Sequence, residues 1–114
     1  KIGLLATEGT LKTQIYNKLF QKDFTIIEPS GILQKKYVNK TIKYVKMGNI
    51  KLAEKTIKPA INYLLKMKCK KIILGCTELP IAIFAFKSFK TIKLSKTFLD
   101  PNLILAVSSM TMYK

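Results

Sequence analysis

Ile72-Ile73-Leu74, set between the lysine pair Lys70-Lys71 and Gly75, is the segment that most narrows what this chain can fold into. A short unbroken apolar run, bounded by charge on one side and by Gly75 and Pro80 on the other, fits a parallel strand covered by helices on both faces. The remaining segments agree with it. Lys1 to Leu5 reads as a strand, and Phe24 to Ile27 as a second, ended by Pro29-Ser30-Gly31. Between them Leu11, Ile15 and Leu19 recur at helical spacing behind Thr10, which is placed as an N-cap. A helix over 33–46 turns Val38, Ile42 and Val45 inward and stops at Gly48. The next, over 49–68, carries the stripe Ile50, Ala53, Ile57, Ala60, Ile61 and Leu64, with Pro59 predicting a kink or a restart. Pro80 to Phe86 predicts another helix and Thr97 to Leu99 a short strand. Asp100-Pro101 reads as the capped start of a last helix through Leu103, Ala106, Val107 and Met110.

Strands that alternate with helices specify an α/β fold. The expectation is a three-layer α/β/α sandwich around a small, mostly parallel four-stranded sheet, in a single domain over residues 1–114. The longest notable apolar stretch, Ile81 to Phe86, falls far short of the ~20 residues that span a bilayer, so no membrane association is expected.

A formal charge of +15 raises nucleic acid as a partner, but all 21 basic residues are lysine. Without arginine, the planar fork that grips phosphate or reads guanine edges is missing, and the lysines are scattered through every segment. A solvated surface is the plainer reading, with no specific nucleic acid partner. Two cysteines and no histidine are too few for a structural zinc site, so no metal is expected, and they make no disulfide framework. No signal-peptide pattern precedes the first strand, which fits a reducing cytoplasm. The chain opens at Lys1, inside a strand, and reads as a piece of something longer.

The chemistry concentrates where the strands end. In α/β sheets ligands bind beyond the carboxyl ends of the strands. The loops Ala6-Thr7-Glu8-Gly9-Thr10 and Gly75-Cys76-Thr77-Glu78 therefore open at one edge, each at a helix start. Backbone N–H groups and the helix dipole favour an anion there, and the same field is expected to lower a thiol from about 8.5 toward neutrality. Cys76 then reads as a partly ionised nucleophile or base, with Thr7, Thr10 and Thr77 donating to a bound carboxylate. The plain alternative is an inert buried cysteine with capping threonines.

Leu4-Leu5-Ala6-Thr7-Glu8-Gly9-Thr10, Tyr44-Val45-Lys46-Met47-Gly48-Asn49, Gly75-Cys76-Thr77-Glu78 and Leu99-Asp100-Pro101, in this order and spacing, resemble the second half of the aspartate/glutamate racemase family. Glu78 stands where the glutamate branch has histidine, which points to the aspartate racemase-like branch. The resemblance implies racemisation of aspartate or glutamate without pyridoxal phosphate or any other cofactor. One cysteine thiolate removes the α-proton while a second thiol delivers one from the far side. It assigns Cys76 to the second of these cysteines, Thr77 to the substrate α-carboxylate, Lys46 to the side-chain carboxylate, and Glu78, Thr7 and Thr10 to the pocket.

It also implies a first domain, with its own Cys-Asn-Thr type motif, that this chain lacks. Cys69 cannot replace that cysteine, because it precedes the strand that Cys76 follows, and about 3.3 Å per residue puts ~15 Å or more between them. The domain is thus expected to be incomplete alone, its partners being a small acidic amino acid and the missing N-terminal domain. Apolar surface left by that domain also gives copies a reason to associate into homo-oligomers. The rival readings are an inactive remnant or acidic-metabolite-binding domain, a single-cysteine lyase or isomerase, and a basic anion-binding module.

Overall fold

The computed structural model describes residues 1–20, 24–84 and 97–100. Four strands, β1 (Ile2–Leu5), β2 (Ile26–Ile27), β3 (Lys71–Leu74) and β4 (Phe98–Leu99), pair in the order β2-β1-β3-β4, every pair parallel. Parallel neighbours need long crossovers, and here helices supply them. α1 (Glu8–Thr13) and α2 (Ile15–Phe20) lead to β2. α3 (Gly31–Leu33), a π-helical turn (Gln34–Val38), α4 (Asn39–Lys46) and α5 (Ile50–Lys66) lead to β3, and α6 (Glu78–Phe84) follows it.

The pleat sends alternate side chains to opposite faces. Leu5, Ile72 and Leu74 pack with Val38, Ile42, Ile57 and Leu64, while Ile2, Leu4, Ala6 and Ile73 meet Leu11, Tyr16 and Phe20. Ile72 to Leu74 are all buried, as a strand covered on both faces must be. The stripe on α5 is buried as its spacing predicts, from Ala53 to Leu64.

Several boundaries differ from the expectations. α5 runs unbroken past Pro59 with no restart. The carbonyl deprived of its partner belongs to Lys55, an exposed residue where water can serve it. The helix after β1 starts three residues early, at Glu8, capped by Thr7 rather than Thr10. It then breaks at Gln14, which takes φ 53°. That break shifts the helical phase, so Tyr16 and Phe20 turn to the sheet while Ile15 and Leu19, expected inward, are 51% and 70% exposed. β2 is only two residues long, and Phe24 lies outside it. The helix expected from residue 33 starts at Gly31 behind a Ser30 cap, and the one expected from Pro80 starts at Glu78. Thr97 lies just outside β4. The helix expected after Asp100-Pro101 lies outside the described residues.

Among the described residues no helix is long and apolar enough to cross a membrane, and no three His, Cys, Asp or Glu side chains are grouped to hold a metal ion.

Candidate functional site

The strand order puts β1 and β3, the two strands that end in polar loops, side by side in the middle of the sheet. From β1 the chain goes to β2 on one side, and from β3 to β4 on the other. Such a reversal opens a crevice at the carboxyl ends, the place where α/β sheets hold ligands. The Gly75 N–H donates to the Leu5 carbonyl at 2.8 Å, so the two exits are tied together. A Cβ at Gly75 would stand 3.1 Å from the Ala6 Cβ and 3.2 Å from Tyr16 Cε2, so a residue without a side chain lets the loops and the Tyr16 ring close up under the next residue.

That next residue is Cys76, half-buried and free. Its thiol donates to Glu78 Oε2 at 2.8 Å, and the Thr77 hydroxyl donates to the same oxygen at 3.0 Å. Glu78 Oε1 faces Lys46 Nζ at 3.9 Å, the outer limit of an ion pair. With the Lys46 side chain 65% exposed, this contact is screened by solvent and contributes little to stability.

The Cys76 thiol titrates in the opposite sense to that expected. Burial pushes it up, and the hydrogen bond to Glu78 and that carboxylate's charge push it further. The backbone N–H groups of Glu78 and Leu79 do pull it down, as a helix start should, but they are outweighed. Glu78 is held below the usual carboxylate range, first by the hydrogen bond from Cys76 and then, more weakly, by Thr77 and Lys46. The resting site therefore holds a protonated sulfur next to an ionised carboxylate. Cys69 is buried ahead of β3, and burial raises its thiol too.

Thr7 and Thr10 form a second small group. Thr7 Oγ1 accepts from the Thr10 N–H at 3.1 Å and donates to Thr10 Oγ1 at 3.0 Å, which caps α1. Thr7→Ala is expected to cost about 1 kcal/mol of folding stability through the lost cap, whatever Thr7 binds, as a lower urea midpoint would show.

Beside these loops an open cleft of about 450 Å³ is lined by Thr7, Glu8, Asn39, Ile42, Lys43, Lys46 and Met47. Of the residues expected in a site, Thr7 and Lys46 line it, and Glu78 reaches it through Lys46. Cys76, Thr77 and Thr10 are not among the lining residues.

Sequence reasoning missed Asn39 and Lys43 in the cleft, and Gln34 behind it. Gln34 is 3% exposed, and its amide Nε2 donates to the Ala6 carbonyl at 2.8 Å and to Asn39 Oδ1 at 2.9 Å. The signal was present: Gln34 stands four residues before Val38 in line with Val38, Ile42 and Val45, a polar group on an apolar face.

Three similarities bear on this arrangement. The model of the Asp/Glu/Hydantoin racemase family matches residues 1–108. An uncharacterized protein in the pnlA 3′ region of Pectobacterium carotovorum subsp. carotovorum is 36% identical over 84 residues, which are 73% of this chain and 55% of that protein. The solved structure of Picrophilus torridus aspartate racemase superposes with a TM-score of 0.67 at 28% identity, covering 87% of this chain and 38% of its own. The chain thus spans about half of the curated relative and less of the solved structure.

Proposed function

The chain belongs to the Asp/Glu/Hydantoin racemase family, and on that premise we propose that it forms half of the active site of a cofactor-independent racemase for a small acidic amino acid, with Cys76 moving the proton on one face of the α-carbon. The observation that carries this reading is the Cys76 thiol held 2.8 Å from Glu78, at the exit of β3 and joined through Lys46 to the cleft. An α-proton is weakly acidic, so its removal needs a positioned base and cationic or hydroxyl groups for the carboxylates. Lys46, Lys43, Thr7 and Thr77 supply such groups. A thiolate on one face takes the α-proton, the C–H electron pair stays on carbon and its carboxylate, and a thiol on the other face returns a proton. Each turnover exchanges which sulfur is protonated. Cys76 rests as the thiol and is the proton donor at the start of a cycle, and the first thiolate comes from the N-terminal half of the family fold.

Alone, the chain performs only the one-sided part of this reaction. In heavy water the small thiolate fraction of Cys76 is expected to take the α-proton of one enantiomer of aspartate and, after the thiol exchanges with solvent, to return a deuteron on the same face, slowly and with retention. Cys76→Ala abolishes that exchange. Deuterium appearing in neither enantiomer, or exchange that survives Cys76→Ala, sinks the proposal.

A second reading, an acidic-metabolite-binding domain without turnover, is favoured by the absence of Cys76 from the cleft lining. It predicts saturable aspartate binding with no exchange.

A further inference from the structure

We infer that Asn39 is a substrate-binding residue, donating its side-chain amide to the substrate's distal carboxylate beside Lys46, and that Gln34, through the π-helical turn, is the positioning residue that aims it. The inference rests on the racemase reading and adds to it two residues that no sequence motif supplied.

The Ala6 carbonyl only accepts, so the end of the Gln34 side chain that meets it at 2.8 Å must be the NH₂. The same NH₂ lies 2.9 Å from the Asn39 amide, so that end of Asn39 must be the oxygen. The Nδ2 of Asn39 is thereby left as the outward end of the group, with no protein acceptor among the described residues. Asn39 lines the cleft together with Thr7 and Lys46, so a donor joins a hydroxyl and an ammonium around one space. An amide donor, a hydroxyl and a cation are the set that a carboxylate requires.

The backbone is built for this contact. Residues five apart on an α-helix point about 140° away from each other, so Gln34 and Asn39 would not meet on a regular helix. The π turn over Gln34–Val38 closes with the Asn39 N–H on the Gln34 carbonyl, and this wider turn brings the two side chains to one side. The turn places a polar side chain in an apolar layer, and Gln34 Oε1 is buried with no partner among the described residues. A buried acceptor left unmet is a cost that packing alone does not explain. Orienting Asn39, and tying the Ala6-Thr7 loop to the same helix, explains it.

The test uses the whole 114-residue chain and L-aspartate as the probe, with binding followed by calorimetry and by side-chain amide signals in ¹H–¹⁵N spectra. Asn39→Asp keeps the shape and the oxygen that accepts from Gln34 but replaces the donor by a charge of the wrong sign. It is expected to weaken binding by about tenfold or more. In the unsubstituted chain the Asn39 NH₂ signals move on adding L-aspartate. In Gln34→Met, which leaves an apolar side chain of similar length in the core, they no longer move and affinity falls. In Asn39→Asp the further change Gln34→Met has little additional effect, because Gln34 acts through Asn39. Unaltered affinity in Asn39→Asp overturns the inference while leaving the racemase reading in place. Unchanged movement of the Asn39 signals in Gln34→Met removes the positioning role. No binding of aspartate by the unsubstituted chain overturns both the inference and the reading beneath it.

Discussion

Leu64→Ala is expected to lower the folding stability of this chain by about 2–5 kcal/mol, because it removes a wholly buried side chain from the layer between α5 and the sheet. The loss should appear as a lower urea midpoint with an unchanged slope. Its origin can be traced across the interface. Gly3, in the middle of β1, has no side chain, and a Cβ built there would stand 2.9 Å from Leu64 Cδ1 and 3.2 Å from Ile72 Cγ1. Leu64 therefore occupies the space that the glycine leaves. Ile72 is paired with Gly3 in the neighbouring strand and is itself fully buried, so it has little room to move aside.

Gly3→Ala by itself is thus expected to destabilise by about 1–3 kcal/mol through overpacking. Combined with Leu64→Ala, the new methyl enters the cavity instead, and removing a glycine from a strand interior gains about 0.5–1 kcal/mol. The two substitutions should therefore compensate, the double variant being more stable than Leu64→Ala alone. Strict additivity in this cycle would show that Leu64 does not fill the space above Gly3.

The second large effect concerns the protonation of Cys76. With its thiol pushed up by burial and by Glu78, Cys76 is expected to react slowly with iodoacetamide near pH 8 and faster as pH rises past the ordinary thiol range, because the thiolate is the attacking form. Glu78→Gln removes the carboxylate that holds the proton, so the alkylation profile shifts to lower pH. The rate at pH 8 rises by up to about tenfold for each unit of the shift. Peptide mapping separates Cys76 from Cys69, which is buried and should remain unmodified in both proteins. A profile that moves to higher pH in Glu78→Gln would remove Glu78 as the group that keeps the thiol protonated.

Through the same pair, stability falls with rising pH at the alkaline end and with falling pH at the acid end. The thiol's folded value is raised, so its contribution is complete below the unfolded thiol value and is lost as pH climbs through the folded one. The carboxyl's folded value is lowered, so its contribution is complete above the unfolded carboxyl value and is lost as pH falls through the folded one. Cys76→Ala removes the first cause of the Glu78 shift and should weaken the acid end as well.

Much of this architecture could be read from the order of residues alone. A run such as Ile72-Ile73-Leu74 is apolar at every position only if both sides of the strand are covered, and the stripe from Ala53 to Leu64 can be buried only along one face of a helix. Periodicity is a local property, so it survives in one dimension, and with it came the α/β class, the parallel sheet and the two polar loops at its carboxyl edge. Cys76, Thr77 and Glu78 stood out for the same reason, as a short spacing after a strand, whereas Lys46 came only from the resemblance to the racemase family and would otherwise read as one more surface lysine.

What the sequence could not supply depends on atoms distant along the chain. Gln14 enters a left-handed conformation that no local pattern announced, and it re-phases the first helix so that Tyr16, not Ile15, lies against Gly75. The charge state of Cys76 is set by burial and by which way Glu78 turns, and those two outweigh the backbone N–H groups that argued for a thiolate. Asn39 offers a donor to the cleft because a carbonyl 33 residues earlier, at Ala6, fixes the amide of Gln34. Residue types and their spacing determined which faces would be buried and which loops would meet. Only the packed structure decided where each proton sits, because a proton's position depends on burial and on the groups that packing brings beside it.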